Sequence, residues 1–268
     1  MEANPMPDEP ALAVSRLVAC DPLVGPAGSA LRDEHVEIPD LAGEMRRLRI
    51  TGAIVRSRDA LNMAPAFCND RLLDQVRGHP GLLPAWLVTP DGCAPDYNPA
   101  APIGAMLRRG VRIAWMDPLV SPHYRLRYSF RAWCCGELFE ALQRHRIPVL
   151  VSYESVPLAD LHSALSDFPG LRVILLDIPR LGRQPEIEAL LKRHPELVLC
   201  FSPSFSVHGG YRDLCARYGP HRWVWGMGYP QAEGGAAVTG LFYSRLDRAQ
   251  LEAVAFGNIE RLLAEVVP

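Results

Sequence analysis

The stretch "RWVWGMGYPQAEGG", Arg222 to Gly235, sets the fold problem. A short run rich in Trp and Val stops at Gly-Met-Gly, and Tyr229-Pro230 follows. A run this short, bounded by Arg on one side and Gly and Pro on the other, reads as a strand buried on both faces. Seven further runs share its character: "RLVAC" (16–20), "GAIVR" (52–56), "LLPAWLV" (82–88), "VRIAW" (111–115), "PVLVS" (148–152), "RVILL" (172–176) and "LVLCF" (197–201). Amphipathic helical patterns lie between them, at "ELFEALQRHR" (137–146), "LADLHSALSDF" (158–168), "PEIEALLKRH" (185–194) and "GYRDLCARYG" (210–219). A last helix is predicted over 247–267, started by the capping residue Asp247.

The eight runs begin about 24 to 37 residues apart, the spacing of repeated strand–helix units. Eight such units predict an α/β fold of the (β/α)8 TIM-barrel type. A doubly wound open sheet is the alternative, disfavoured by eight regular units and no second domain. Residues 1–15, Pro-rich and acidic, are expected to be a flexible tail, and residues 16–268 one barrel domain.

Composition narrows the function. The net charge of −2 gives no basic footprint for nucleic acid. Of the 28 basic residues Lys192 alone is lysine, so arginine count says little about anion binding. Seven cysteines without a CxxC pair argue against a disulfide framework or a structural zinc, and for reduced thiols in a cytoplasmic protein. The first residues lack the basic and apolar regions of a signal peptide, and no run reaches the length of a membrane helix. There is no GxSxG elbow and no phosphate-binding glycine loop.

Several stretches occur in a telling order: "NDRLLDQVRGHPGLLPAWLVTP" (69–90), "GVRIAWMDP" (110–118), "LFEALQRHRIPVLVS" (138–152), "LSDFPGLRVILLDIPR" (165–180), "RYGPHRWVWGMGYP" (217–230) and "FGNIERLL" (256–263). Together they resemble the amidohydrolase-related branch of the amidohydrolase superfamily, also called amidohydrolase family 2, over nearly the whole chain from residue 16. The resemblance implies an amidohydrolase-like barrel. In metal-dependent members it also implies a His-x-His pair ending strand 1, a histidine after each of strands 5 and 6, and an aspartate after strand 8. Here those places hold "ACDPLVG", Tyr153, Asp177 and Gly228. The expectation is a site with no metal and no cofactor. Family members often pair, so the resemblance implies a homodimer.

In a barrel, function sits just past the strand ends. Glu154 and Asp177 follow strands 5 and 6 and are candidates for a general acid and base. His208, beyond strand 7, is a third candidate able to titrate near neutrality. Arg58 and Arg180 are candidates to hold a substrate carboxylate, with Tyr153 and Tyr229 beside them. For each carboxylate the plainer reading is a pair with a neighbouring arginine, for His208 a loop residue, and for each arginine a surface ion pair. Asp21 and Asp117 each precede a proline and read as turn starters. Two functions follow: a metal-independent hydrolase acting on a small carboxylated lactone or acyl compound, or a non-catalytic pseudoenzyme that binds a small molecule on the same barrel.

Overall fold

The computed structural model describes residues 14–25, 36–61, 63–90, 98–118, 127–179, 184–203, 205 and 210–268. Eight parallel strands form its centre. They are β1 (Val18–Ala19), β2 (Gly52–Ser57), β3 (Leu82–Pro84 and Trp86–Leu87), β4 (Ala114–Met116), β5 (Val149–Ser152), β6 (Val173–Leu176), β7 (Val198–Phe201) and β8 (Trp223–Trp225). Each pairs with the next: Val18 with Gly52, Ile54 with Leu83, Trp86 with Ala114, Trp115 with Leu150, Leu150 with Ile174, Leu175 with Leu199, and Cys200 with Val224. The Cys20 amide donates to the Trp225 carbonyl at 2.9 Å and returns β8 to β1. The ring is closed, as the (β/α)8 reading requires.

Helices cover the outside: α1 (Ile38–Leu48), α2 (Pro65–Val76), α3 (Ala100–Arg108), α4 (Ala132–Arg144), α5 (Leu158–Asp167), α6 (Gln184–Arg193), α7 (Gly210–Tyr218) and α8 (Gly234–Phe242). The four helical patterns named in the sequence fall on α4 to α7. Among the described residues no helix is long and apolar enough to cross a membrane.

The strands bury both faces, and this is why their sequences read as unbroken apolar runs. Outward residues such as Val55, Met116, Val151 and Phe201 join the layer under the helices. Inward residues Cys20, Ile54, Leu87, Trp115, Leu150, Leu176, Cys200 and Val224 form a second, separate core. Ile259 and Leu262 belong to that inner core and close its lower end.

The helix predicted over 247–267 runs without a break over 248–264, with a π-helical turn (Ala253–Gly257) between α9 (Arg248–Glu252) and α10 (Asn258–Ala264). Asp247 does cap it, accepting from the Gln250 amide at 2.8 Å. The wider turn re-aims the chain so that Asn258 Nδ2 donates to the Pro220 and Trp223 carbonyls, both at 2.7 Å. That contact seats α10 against the start of β8.

Arg222, the first residue of the opening stretch, is buried and structural. Its guanidinium donates to the carbonyls of Leu191 (3.2 Å), His194 (2.6 Å) and Leu197 (2.8 Å). A cation at the end of α6 satisfies carbonyls the helix leaves open and opposes its dipole. The described cysteines are free thiols, five of them buried.

Candidate active site

The opening stretch has an answer in Asp21. Its carboxylate accepts the amide of Met227 on one oxygen and of Gly228 on the other, each at 2.7 Å. The two glycines make this possible. A Cβ on Gly226 would lie 2.6 Å from Asp21 Cγ and 2.7 Å from Cys200 Sγ, so only a glycine leaves room for the carboxylate. Gly228 has φ 69° and lies close to Pro203 and Ala232, a position a side chain would strain. The turn reading of Asp21 is therefore corrected: its side chain is buried and fastens the end of strand 8 to the end of strand 1.

Beside it stands Arg56, also buried, at the end of β2. One guanidinium nitrogen, Nη2, donates to the Asp21 carbonyl at 2.8 Å, and the group lies 5.7 Å from the Trp115 ring centroid. Arg56 Nε, Trp115 Nε1 and Ser202 Oγ are buried with no hydrogen-bond partner among the described residues. Arg56, Ser152, Ser202 and Asp117 each sit two residues beyond an inward core residue (Ile54, Leu150, Cys200, Trp115) and so belong to the inward face at the mouth.

Two more carboxylates complete the mouth. Asp177, in the left-handed region at φ 56°, accepts the Ser152 hydroxyl at 2.7 Å. Asp117 is half-buried, and its amide donates to the Tyr128 hydroxyl at 3.1 Å. Burial pushes the Asp117 carboxyl up to about 6; the nearby Arg56 charge and Ser155 hydroxyl oppose that shift, and the Asp177 charge adds to it. Burial likewise raises Asp21 to about 6, helped by the Asp177 charge and opposed by the Gly228 and Met227 amides and by Arg56. Asp21 and Asp117 thus share one arginine, with the Asp177 charge beside both. The two thiols beneath them, Cys20 and Cys200, are fully buried and pushed well above the usual thiol range, so they are inert.

The residues singled out from sequence are placed as follows. Asp177 lies in this cluster. Glu154 is exposed in the 3-10 turn Tyr153–Ser155, with no hydrogen bond or ion pair among the described residues. Tyr153 and Tyr229 are half-buried and pack against the outer core; the Tyr229 carbonyl accepts from the Leu23 amide at 3.2 Å. Arg58 is half-buried in the turn Arg58–Leu61 and is not free of partners. His208, Arg180 and residues 1–13 of the expected tail lie outside the described residues. Asp21, Arg56 and Asp117 went unselected, although the alternation of inward residues along β2 and β4 marks two of them.

Among the described residues the donors of a superfamily metal site are not brought together. Both Asp21 oxygens are spent on backbone amides, Gly228 has no side chain, and an arginine stands among the carboxylates. Among the described residues no group of three His, Cys, Asp or Glu side chains is placed to hold an ion.

Comparison with known proteins agrees with this architecture. An uncharacterised TIM-barrel protein from Bordetella bronchiseptica superposes with a TM-score of 0.70 at 17% identity, covering 93% of this chain and 99% of that one. A putative 2-pyrone-4,6-dicarboxylic acid hydrolase from Pseudomonas putida gives 0.68 at 16% identity, covering 94% and 99%. A dihydroxybenzoic acid decarboxylase from Polaromonas sp., with bound manganese and the inhibitor 2-nitroresorcinol, gives 0.69 at 12% identity, covering 94% and 97%. No curated protein matches the chain by sequence. The family model described as Amidohydrolase matches residues 32–264, and the chain, with its closed barrel, belongs to the amidohydrolase family.

Proposed function

We propose that the protein is a hydrolase of small carboxylated lactones or acyl compounds, working without a metal, with Asp117 as the group that moves the proton. The arrangement that carries this reading is the Asp117 carboxyl, pushed up to about 6 by burial, in the field of a buried arginine whose Nε–H has no partner among the described residues. A carboxyl with that pKa is ionised enough at neutral pH to accept a proton and basic enough to return one. Burial keeps Asp117 basic, and the Asp177 charge adds to the effect.

The chemistry is hydrolytic addition. Asp117 in its carboxylate form takes a proton from water as the water oxygen bonds to the carbonyl carbon. Negative charge gathers on the former carbonyl oxygen, where the free Arg56 Nε–H is an electrostatic partner in a site of low dielectric. The carbon–oxygen bond to the leaving alkoxide or enolate then breaks, and protonated Asp117 returns the proton to it. Water is consumed and an acid and an alcohol or enol are formed. The fold neighbour named as a 2-pyrone-4,6-dicarboxylic acid hydrolase supports this substrate class.

The test is turnover of EDTA-treated protein on 2-pyrone-4,6-dicarboxylate and simpler carboxylated lactones, followed by loss of lactone absorbance. The expected result is ring opening by the chelated protein and a loss of about 100-fold or more in kcat for Asp117→Asn. Activity that vanishes on chelation and returns with zinc or manganese overturns the metal-free mechanism. Carbon dioxide release overturns the hydrolytic one. Binding without turnover across the panel leaves the pseudoenzyme reading in its place.

A further inference from the structure

A cavity with a volume of about 430 Å³ lies between α7 and α8, and none of the three mouth aspartates lines it. That volume is in the range of small-molecule sites. Its walls come from Pro203 and Phe205, the start of α7, one face of α8 and the turn beyond it.

Its lining has three parts. The first is aromatic. The Tyr211 ring stacks on Phe201 with centroids 3.7 Å apart and planes 6° apart, and buried Phe205 stacks on the same ring at 5.7 Å, so both are fixed in place. Tyr243 stands at the rim, 69% exposed, a large aromatic surface left to water. The second part is space. Gly240 lies inside α8, where glycine costs about 1 kcal/mol relative to alanine. Packing does not demand it, because an added Cβ would meet only the Tyr211 hydroxyl, at an ordinary 3.9 Å. Its effect is to leave the cavity open. The third part is charge. Arg212 and Arg245 both line the cavity, and no carboxylate is among the lining residues described. Among the described residues Arg212 pairs with its half-buried neighbour Asp213, at 3.3 Å. Arg245, at φ 61°, has no ion pair among the described residues.

A cavity with flat fixed walls, a positive rim and no carboxylate selects a planar organic anion. We infer that it binds an aromatic carboxylate, the ring between Tyr211, Phe205 and Tyr243 and the carboxylate at Arg245 and Arg212. This site is separate from the aspartate cluster, and its occupation does not depend on the proposed hydrolysis.

Calorimetric titration of the full-length protein with benzoate and with benzamide tests it. Benzoate is expected to bind, with benzamide weaker by about tenfold or more because the arginines then meet no charge. Arg245→Gly keeps the left-handed backbone and removes the cation, and is expected to weaken benzoate by about tenfold. Gly240→Leu fills the cavity and is expected to abolish binding, while Arg56→Met leaves it unchanged. Melting curves of each variant show whether the barrel is intact. The inference is overturned by no benzoate binding up to about 10 mM, by equal affinity for benzamide, by indifference to both Arg245→Gly and Gly240→Leu, or by loss in Arg56→Met, which would move the ligand to the barrel mouth.

Discussion

The carboxylate of Asp21 holds the amide of Gly228 at 2.7 Å, and so joins the residue after the first barrel strand to the turn after the last. In the metal-dependent members that this chain resembles, strand 8 supplies an aspartate to the mouth. Here strand 1 supplies the aspartate and strand 8 supplies bare backbone. The carboxylate serves as a clasp for the barrel seam, and it fills the space that a side chain at Gly226 would take.

This clasp gives a coupled prediction. Asp21→Asn places an amide N–H₂ against a backbone N–H and is expected to cost about 2 kcal/mol of unfolding free energy. Gly226→Ala forces a methyl group into the Asp21 carboxylate and is expected to cost at least as much. In an Asp21→Ala background much of that clash is gone, leaving the Cys200 Sγ contact, so the second Gly226→Ala penalty should be clearly smaller. Urea unfolding of the four proteins of the cycle measures the coupling. Additive penalties would show that the two residues do not compete for the same space.

Asp117 carries opposite effects on stability and activity. Its folded pKa is raised from 3.8 to about 6. Below pH 4 the group is protonated in both folded and unfolded chains and costs nothing. Between about pH 4 and 6 the folded state resists ionisation, and above pH 6 the full penalty, about 3 kcal/mol, is present. Asp117→Asn should therefore stabilise the protein at pH 7.5, with little effect at pH 3.8, while abolishing turnover. Thermal melts at the two pH values, paired with the lactone assay, check both halves. Equal stability at the two pH values would remove the desolvation argument.

The barrel was legible because its strands are buried on both faces and leave short, dense apolar runs that recur at the spacing of strand–helix units. The mouth was harder to read. Asp21 and Asp117 precede prolines, and Asp-Pro is a common turn starter whatever the carboxylate then touches. Nothing local reports that Asp21 will find amides more than 200 residues away. Glu154 shows the converse problem. It follows β5 directly, but the 3-10 turn there directs its side chain to solvent, while Ser152 keeps the inward register and meets Asp177. Counting in steps of two from Ile54 and Trp115 would have found Arg56 and Asp117, because alternation fixes which side of a strand faces the axis.

Arg222 is a stability residue by the same geometric logic. Its three carbonyl acceptors lie on Leu191, His194 and Leu197, so one side chain ties the end of α6 and the entry to β7 onto the start of β8. Arg222→Met keeps the apolar stem but strands three carbonyls. The expected loss is about 3 kcal/mol in urea unfolding, with kcat unchanged because the residue lies at the opposite end of the barrel from Asp117. A loss under about 0.5 kcal/mol would mean that water satisfies those carbonyls equally well.

His162 and His194 make a pH-dependent contact below the same helix. His162 Nδ1 and His194 Nε2 are 2.8 Å apart, so one ring donates to the other and the pair holds one proton between the two nitrogens. A second proton would set two N–H groups head to head. Burial lowers the His194 pKa below 6.5, and the His162, Arg193 and Arg222 charges lower it further. The Ser166 hydroxyl lies 3.5 Å from His162 Nδ1, and Glu196 lines the same small cavity with Arg193. Because the folded state resists protonation while the unfolded chain accepts it near pH 6.5, this contribution to stability is complete above pH 6.5 and is lost as the pH falls below it. His194→Gln keeps a hydrogen-bonding side chain but cannot titrate. The stability difference between the natural protein and His194→Gln should shift steadily against the natural protein from pH 7.5 to pH 5, measured by urea unfolding at constant ionic strength. A difference that stays constant over that interval would mean that His194 titrates alike in the folded and unfolded chains.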